Sequence, residues 1–143
     1  MSSGVGVDPR GPRVAAALTS AVLALVVLTG SVWLLLAQAA VFAIGAVAGP
    51  QATPYGWLYR RLVRPRLGPP TELEHPAPLI FAQRIGLAVT GLGVVLAALG
   101  VSGAAVGAAA LAFVAAFLNA AFGLCLGCEL YPVIARLRSA RGI

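Results

Sequence analysis

Two long apolar stretches alternate with three polar ones along this chain. Residues 14–59 and 85–128 contain no Asp, Glu, Lys, Arg or His, and every charge falls in 1–13, 60–84 or 129–143. A helix crosses the hydrocarbon of a bilayer with about 20 apolar residues. Each stretch is therefore long enough for two spans and a tight turn, and Gly30-Ser31 and Gly100 with Gly103 supply turn residues. The pattern predicts an all-α membrane protein of four transmembrane helices in two hairpins, with a short interfacial helix between them. The organisation that follows is a mobile cytoplasmic tail (1–11), a first hairpin (12–49), a cytoplasmic interfacial helix and Pro-rich loop (50–78), a second hairpin (79–130) and a basic cytoplasmic tail (131–143).

Local signals refine this outline. Ala37-Gln38-Ala39 imitates a signal-peptidase site, but the apolar run before it is too long for a signal peptide and continues to Ala48, which predicts a retained hairpin. Thr53-Pro54 reads as the N-cap and first residue of a helix ending before Pro65. Tyr55, Leu58, Tyr59 and Leu62 share one face of it, and Trp57, Arg60, Arg61 and Arg64 the adjoining one, as in a helix lying in the headgroup layer with its apolar side down. Trp33 marks the outer interface, and Tyr55, Trp57 and Tyr59 the inner one. The prolines between Pro65 and Pro78 predict extended, irregular chain. Small residues four apart (Gly45 with Gly49, Gly103 with Gly107, Gly123 with Gly127) predict close helix approach, and Gln38 and Asn119 predict hydrogen bonds between helices.

Composition agrees. Hydrophobic residues make up 60% of the chain and charged ones 10%, against about a quarter charged in a soluble domain. All ten basic residues are arginines: Arg10 and Arg13 before the first span, Arg60, Arg61, Arg64, Arg66 and Arg84 between the hairpins, and Arg136, Arg138 and Arg141 after the fourth. The short turns carry none, so the positive-inside rule predicts a multi-pass protein of the inner membrane with both termini and the central loop cytoplasmic. The partner this charge implies is the anionic cytoplasmic leaflet, and not nucleic acid.

The chemistry-bearing feature is Cys125-Leu126-Gly127-Cys128, the only two cysteines. A fourth span starting at Gly103 crosses the hydrocarbon by about Gly123, at 1.5 Å per residue, so both thiols emerge at the cytoplasmic interface. Residues three apart on a helix fall within reach of a disulfide, given local unwinding at Gly127 and Pro132. Cytoplasmic disulfides are transient, which suits exchange with a thioredoxin-like protein or carriage of sulfur as a persulfide. Glu129 can accept a proton, Tyr131 can anchor the segment at the interface, and Arg84, Arg136, Arg138 or His75 can support a thiolate. Other readings stay open: Cys125 and Cys128 as half a zinc site, completed by His75 or by a second copy in a homo-oligomer; a packing pair; or a noncatalytic membrane scaffold whose basic, proline-rich loop docks partners. A transport pathway is a further reading, against which the absence of charge inside the spans argues strongly. With no Gly-rich phosphate loop, intramembrane carboxylate pair or Ser-His-Asp set, no cofactor is expected.

Val7 to Arg13, Tyr55-Gly56, Arg64 to Pro70, His75 to Pro78 with Phe81-Ala82-Gln83, and above all Gly123 to Tyr131 resemble the bacterial membrane family called domain of unknown function 4395. Members of that family are often encoded near thioredoxin-like and sulfurtransferase proteins. The resemblance therefore implies thiol or sulfur traffic, with Cys125 and Cys128 as the reacting residues.

Overall fold

The computed structural model describes residues 10–67, 76–122 and 131–137. Among these, all regular structure is helical: α1 (Arg10–Thr29), α2 (Val32–Ala48), a 3-10 turn (Pro50–Ala52), α3 (Pro54–Leu58), a π turn (Tyr59–Val63), α4 (Arg64–Leu67), α5 (Pro76–Ala98) and α6 (Ala104–Phe122), with residues 131–137 also helical. Three helices, α1, α5 and α6, are long and apolar enough to cross a membrane, and α2 is a shorter apolar helix of 17 residues. The side chains turned outward include Leu92, Val95, Leu111, Val114 and Phe117, each more than 45% exposed. Apolar helices that face outward with apolar residues are suited to lipid rather than water.

The turns behave as their residues dictate. Gly30 sits at φ +69° after α1, and Ser31 then caps α2, its Oγ accepting from the Leu34 N–H at 3.2 Å. Thr53 caps α3 by accepting from the Gly56 N–H at 3.1 Å, with Pro54 at the first helical position, as expected.

The helices do not pack as two self-contained hairpins. Helix α1 packs mainly along α6 and α2 along α5, with α5 joined to α6, while α1 and α2 touch each other much less. At the end holding the Gly30 and Gly100 turns the bundle is closed by Leu23, Val26, Leu35, Ala105 and Ala109. Gly93 of α5 supplies the close approach there: a Cβ on it would collide with the Ala108 side chain and come within 3.2 Å of Leu35. Gly45 has the same role against Gln83, and Gly86 against Phe42. The expected Gly103 and Gly107 pairing is not made. Added Cβ atoms there would meet nothing within 4 Å, and Gly103 serves the turn at φ +78°. Gly123 and Gly127 lie outside the described residues.

The segment between the hairpins departs from the expected interfacial helix in two ways. It does not stop before Pro65. A π turn closes with the Arg64 N–H bonded to the Tyr59 carbonyl, and α4 continues through Pro65. The wider turn accommodates a proline that would otherwise clash with the carbonyl four residues back. Nor does its apolar face lie on lipid. Tyr59 is 3% exposed and packs over Gly11 of α1, and Tyr55 reaches into the bundle, while Leu62 points outward. Burying tyrosines between helices gives their hydroxyls partners, which hydrocarbon does not. The adjoining face is exposed as expected, with the Arg61 guanidinium 5.6 Å from the Trp57 ring centroid. Helix α5 starts earlier than expected, at Pro76, because prolines in a first turn need no N–H partner. Of the stretch Pro65–Pro78, expected to be extended, 65–67 and 76–78 are thus helical, and 68–75 lie outside the described residues.

Candidate functional site

Antiparallel succession brings the start of α1, the start of α5 and the end of α6 to one end of the bundle, opposite the Gly30 and Gly100 turns. Two contacts fasten this end. The Arg13 Nη2 donates to the Ala120 carbonyl at 3.2 Å, supplying both a partner and a positive charge to the C-terminal turn of α6. Phe81 on the first turns of α5 meets Tyr131 edge to face, with ring centroids 5.8 Å apart and planes at 63°. Phe122, the last residue of α6, and Tyr131 therefore flank the segment 123–130 that carries the thiol motif. Cys125, Cys128 and Glu129 lie outside the described residues, as do His75, Arg138 and Arg141. Arg84, one turn beyond Phe81, and Arg136 are exposed at the same end. Tyr131, expected at the interface, is 36% exposed and held by Phe81. All of the chain's Cys, His, Asp and Glu residues fall outside the described residues, so the zinc alternative meets no structural test there.

The chain matches the model of a family described as "Domain of unknown function (DUF4395)" over residues 7–136. It belongs to that family. No curated protein and no solved structure matches it. In this member of the DUF4395 family the matched region runs from the tail before α1 to Arg136, and so takes in the thiol motif and the tyrosine that follows it.

A cavity of about 330 Å³ lies between the four long helices in the half of the bundle nearer Arg13 and Tyr131. Its walls are mostly apolar, with Ala16 from α1, Val41 and Phe42 from α2, Ile85 and Val89 from α5, and Ala112 from α6. The polar groups on it are Thr19, Gln38, Thr53, Tyr55, Gln83 and Asn119. Gln38 is 1% exposed, and its Oε1 accepts from the Tyr55 hydroxyl at 2.6 Å, which is the hydrogen bond within the bundle that the sequence predicts. Burial pushes the Tyr55 phenol above its ordinary value of 10. Asn119 lies on the cavity wall, and no hydrogen bond to a neighbouring helix holds it among the described residues.

Sequence reasoning missed two residues here. Arg13 was legible in principle, because in a bundle of four successive antiparallel helices the start of the first and the end of the fourth share an end. The reach of Tyr55 to Gln38 was not, because nothing local signals that the chain after α2 folds back into the bundle.

Proposed function

We propose that this protein is a multi-pass protein of the inner membrane with both termini and the central loop cytoplasmic, and that Cys125 and Cys128 exchange disulfides or carry sulfur with a thioredoxin-like or sulfurtransferase protein. What supports the reading is that the only cysteine pair follows α6 in the sequence, between Phe122 and Tyr131, two described residues at the bundle end that also holds Arg13, Arg84 and Arg136. Cys128 meets the partner first, being farther along the chain from the apolar helix. Its thiolate attacks one sulfur of the partner's disulfide, and the other sulfur leaves as a thiolate. Cys125 then attacks the mixed disulfide at Cys128. The pair ends as a disulfide, and the partner leaves as a dithiol, reduced by two electrons. In persulfide traffic the same thiolate takes the outer sulfur from a partner persulfide, whose inner sulfur leaves as a thiolate. Arg13 supports this chemistry by countering the negative pole of α6, which otherwise disfavours a nearby thiolate.

A scaffold that anchors cytosolic partners is the second reading. The exposed Trp57 and Arg60, Arg61, Arg64 and Arg66 favour it as a ready docking face. Trapping separates the two. With Cys125→Ser, Cys128 should accumulate a mixed disulfide with a cytosolic protein, and Cys128→Ser should trap far less. A double Cys→Ser variant that fully complements a deletion would leave the scaffold standing and remove the thiol reading.

A further inference from the structure

The amide of Gln38 is held at one end only. Its Oε1 takes the Tyr55 hydroxyl proton, while its Nε2, fully enclosed, has no hydrogen-bond partner among the described residues. Buried polar nitrogens in folded proteins are nearly always paired, because leaving one unpaired forfeits its hydration. Gln38 lines the cavity between the helices, whose volume of about 330 Å³ lies at the lower end of the range for small-molecule sites. With the amide oxygen taken by the Tyr55 hydroxyl, an N–H donor remains. A molecule that satisfies it brings an acceptor. Among the described residues no charged side chain lines the cavity, which favours a neutral molecule, and the surrounding Ala, Val, Ile and Phe side chains require an apolar body.

We propose that this cavity is a binding site for an uncharged, mostly apolar, membrane-soluble molecule whose carbonyl oxygen accepts a hydrogen bond from Gln38 Nε2. Two sources carry that chemistry: the ring carbonyl of a quinone and the ester carbonyl of a neutral acyl lipid. The site does not depend on the thiol chemistry. It lies between the pairs α1 with α6 and α2 with α5, where the bundle's own side chains leave space that the closed half does not. Tyr55 is the positioning residue, holding the amide from a segment that folds back after α2.

The test uses the full chain in neutral detergent with two probes, a short-chain benzoquinone and a monoacylglycerol, each titrated and followed by the rise in melting temperature and by equilibrium dialysis. Saturable binding of one probe is expected, and the probe that binds names the source. Gln38→Leu keeps the side-chain volume and removes the donor. It should weaken binding about tenfold or more, and the loss of melting temperature that follows from leaving the Tyr55 hydroxyl without its acceptor should be recovered by adding Tyr55→Phe while the loss of binding is not. Ala112→Phe, which fills the cavity from α6, should abolish binding. If neither probe saturates, or if Gln38→Leu binds as tightly as the wild type, the amide serves a bridging water only and the site is overturned.

Discussion

At the scale of single residues, the pair Tyr55 and Gln38 decides how the half of the bundle nearer Arg13 is held. Tyr55→Phe removes the donor and leaves Gln38 with both amide atoms unpaired, so it should destabilise the protein by about 1–3 kcal/mol. Replacing both residues, as Tyr55→Phe with Gln38→Leu, should cost less than Tyr55→Phe alone, because no buried polar atom is then orphaned. Thermal or denaturant unfolding in detergent measures both. The same phenol gives a pH signature. Its proton is held more tightly in the folded protein than in the unfolded chain, so its contribution to stability is complete below about pH 10 and is lost as pH rises through the raised value. The alkaline fall in melting temperature should therefore be shallower in Tyr55→Phe than in the wild type. The Thr53 cap was legible from the sequence at this scale, since it acts on its neighbours only, whereas Ser31 reads as a turn residue and caps α2 as well. Gln38 was legible as a polar residue needing a partner. Its partner was not, because a tyrosine beside arginines and a tryptophan looks like an interfacial anchor until the backbone turns it inward.

At the scale of elements, the apolar stretches specified where helices run but not how they pair. Four-residue spacing of small residues occurs at Gly45 with Gly49 and again at Gly103 with Gly107, yet of these four glycines only Gly45 lies against another helix. Spacing along one helix carries no information about which side its neighbour occupies. The glycine that does bring α5 against α6, Gly93, stands outside any such pair. Gly93→Ala should thus destabilise the bundle by about 1–3 kcal/mol, as overpacking does, because its Cβ collides with Ala108 across two backbones. Gly107→Ala should be neutral or stabilising by up to about 1 kcal/mol, since it faces open space in a helix interior. A denaturant titration of the two variants side by side checks the contrast, and equal losses would mean that α5 and α6 are not in the described contact. The run through Pro65 belongs to the same scale. A proline rule that ends helices assumes four-residue hydrogen bonding, and the π turn before it suspends that assumption.

At the scale of the whole molecule, the bundle is asymmetric, tightly filled near the two glycine turns and hollow near the arginines. What the sequence could not resolve is whether α2 completes a span. Its 17 residues reach about 25 Å, short of the roughly 30 Å of hydrocarbon, although the following 3-10 turn and some bilayer thinning can make up the difference. The parity of the chain depends on it. If α2 crosses, the residues after Gly30 and Gly100 lie outside and Ile143 inside. If it does not, Arg60, Arg61, Arg64 and Arg66 are left on the outer side, Gly100 returns to the cytoplasm and Ile143 is exported. The second arrangement places eight of the ten arginines, Arg60, Arg61, Arg64, Arg66, Arg84, Arg136, Arg138 and Arg141, against the positive-inside rule. Alkaline phosphatase fused after Gly30, Gly100 and Ile143 should accordingly be active, active and inactive. Activity at Ile143 together with silence at Gly100 would reduce the spans to three and move the cysteine pair to the other side of the membrane. There, oxidants rather than cytosolic reductants would set its redox state.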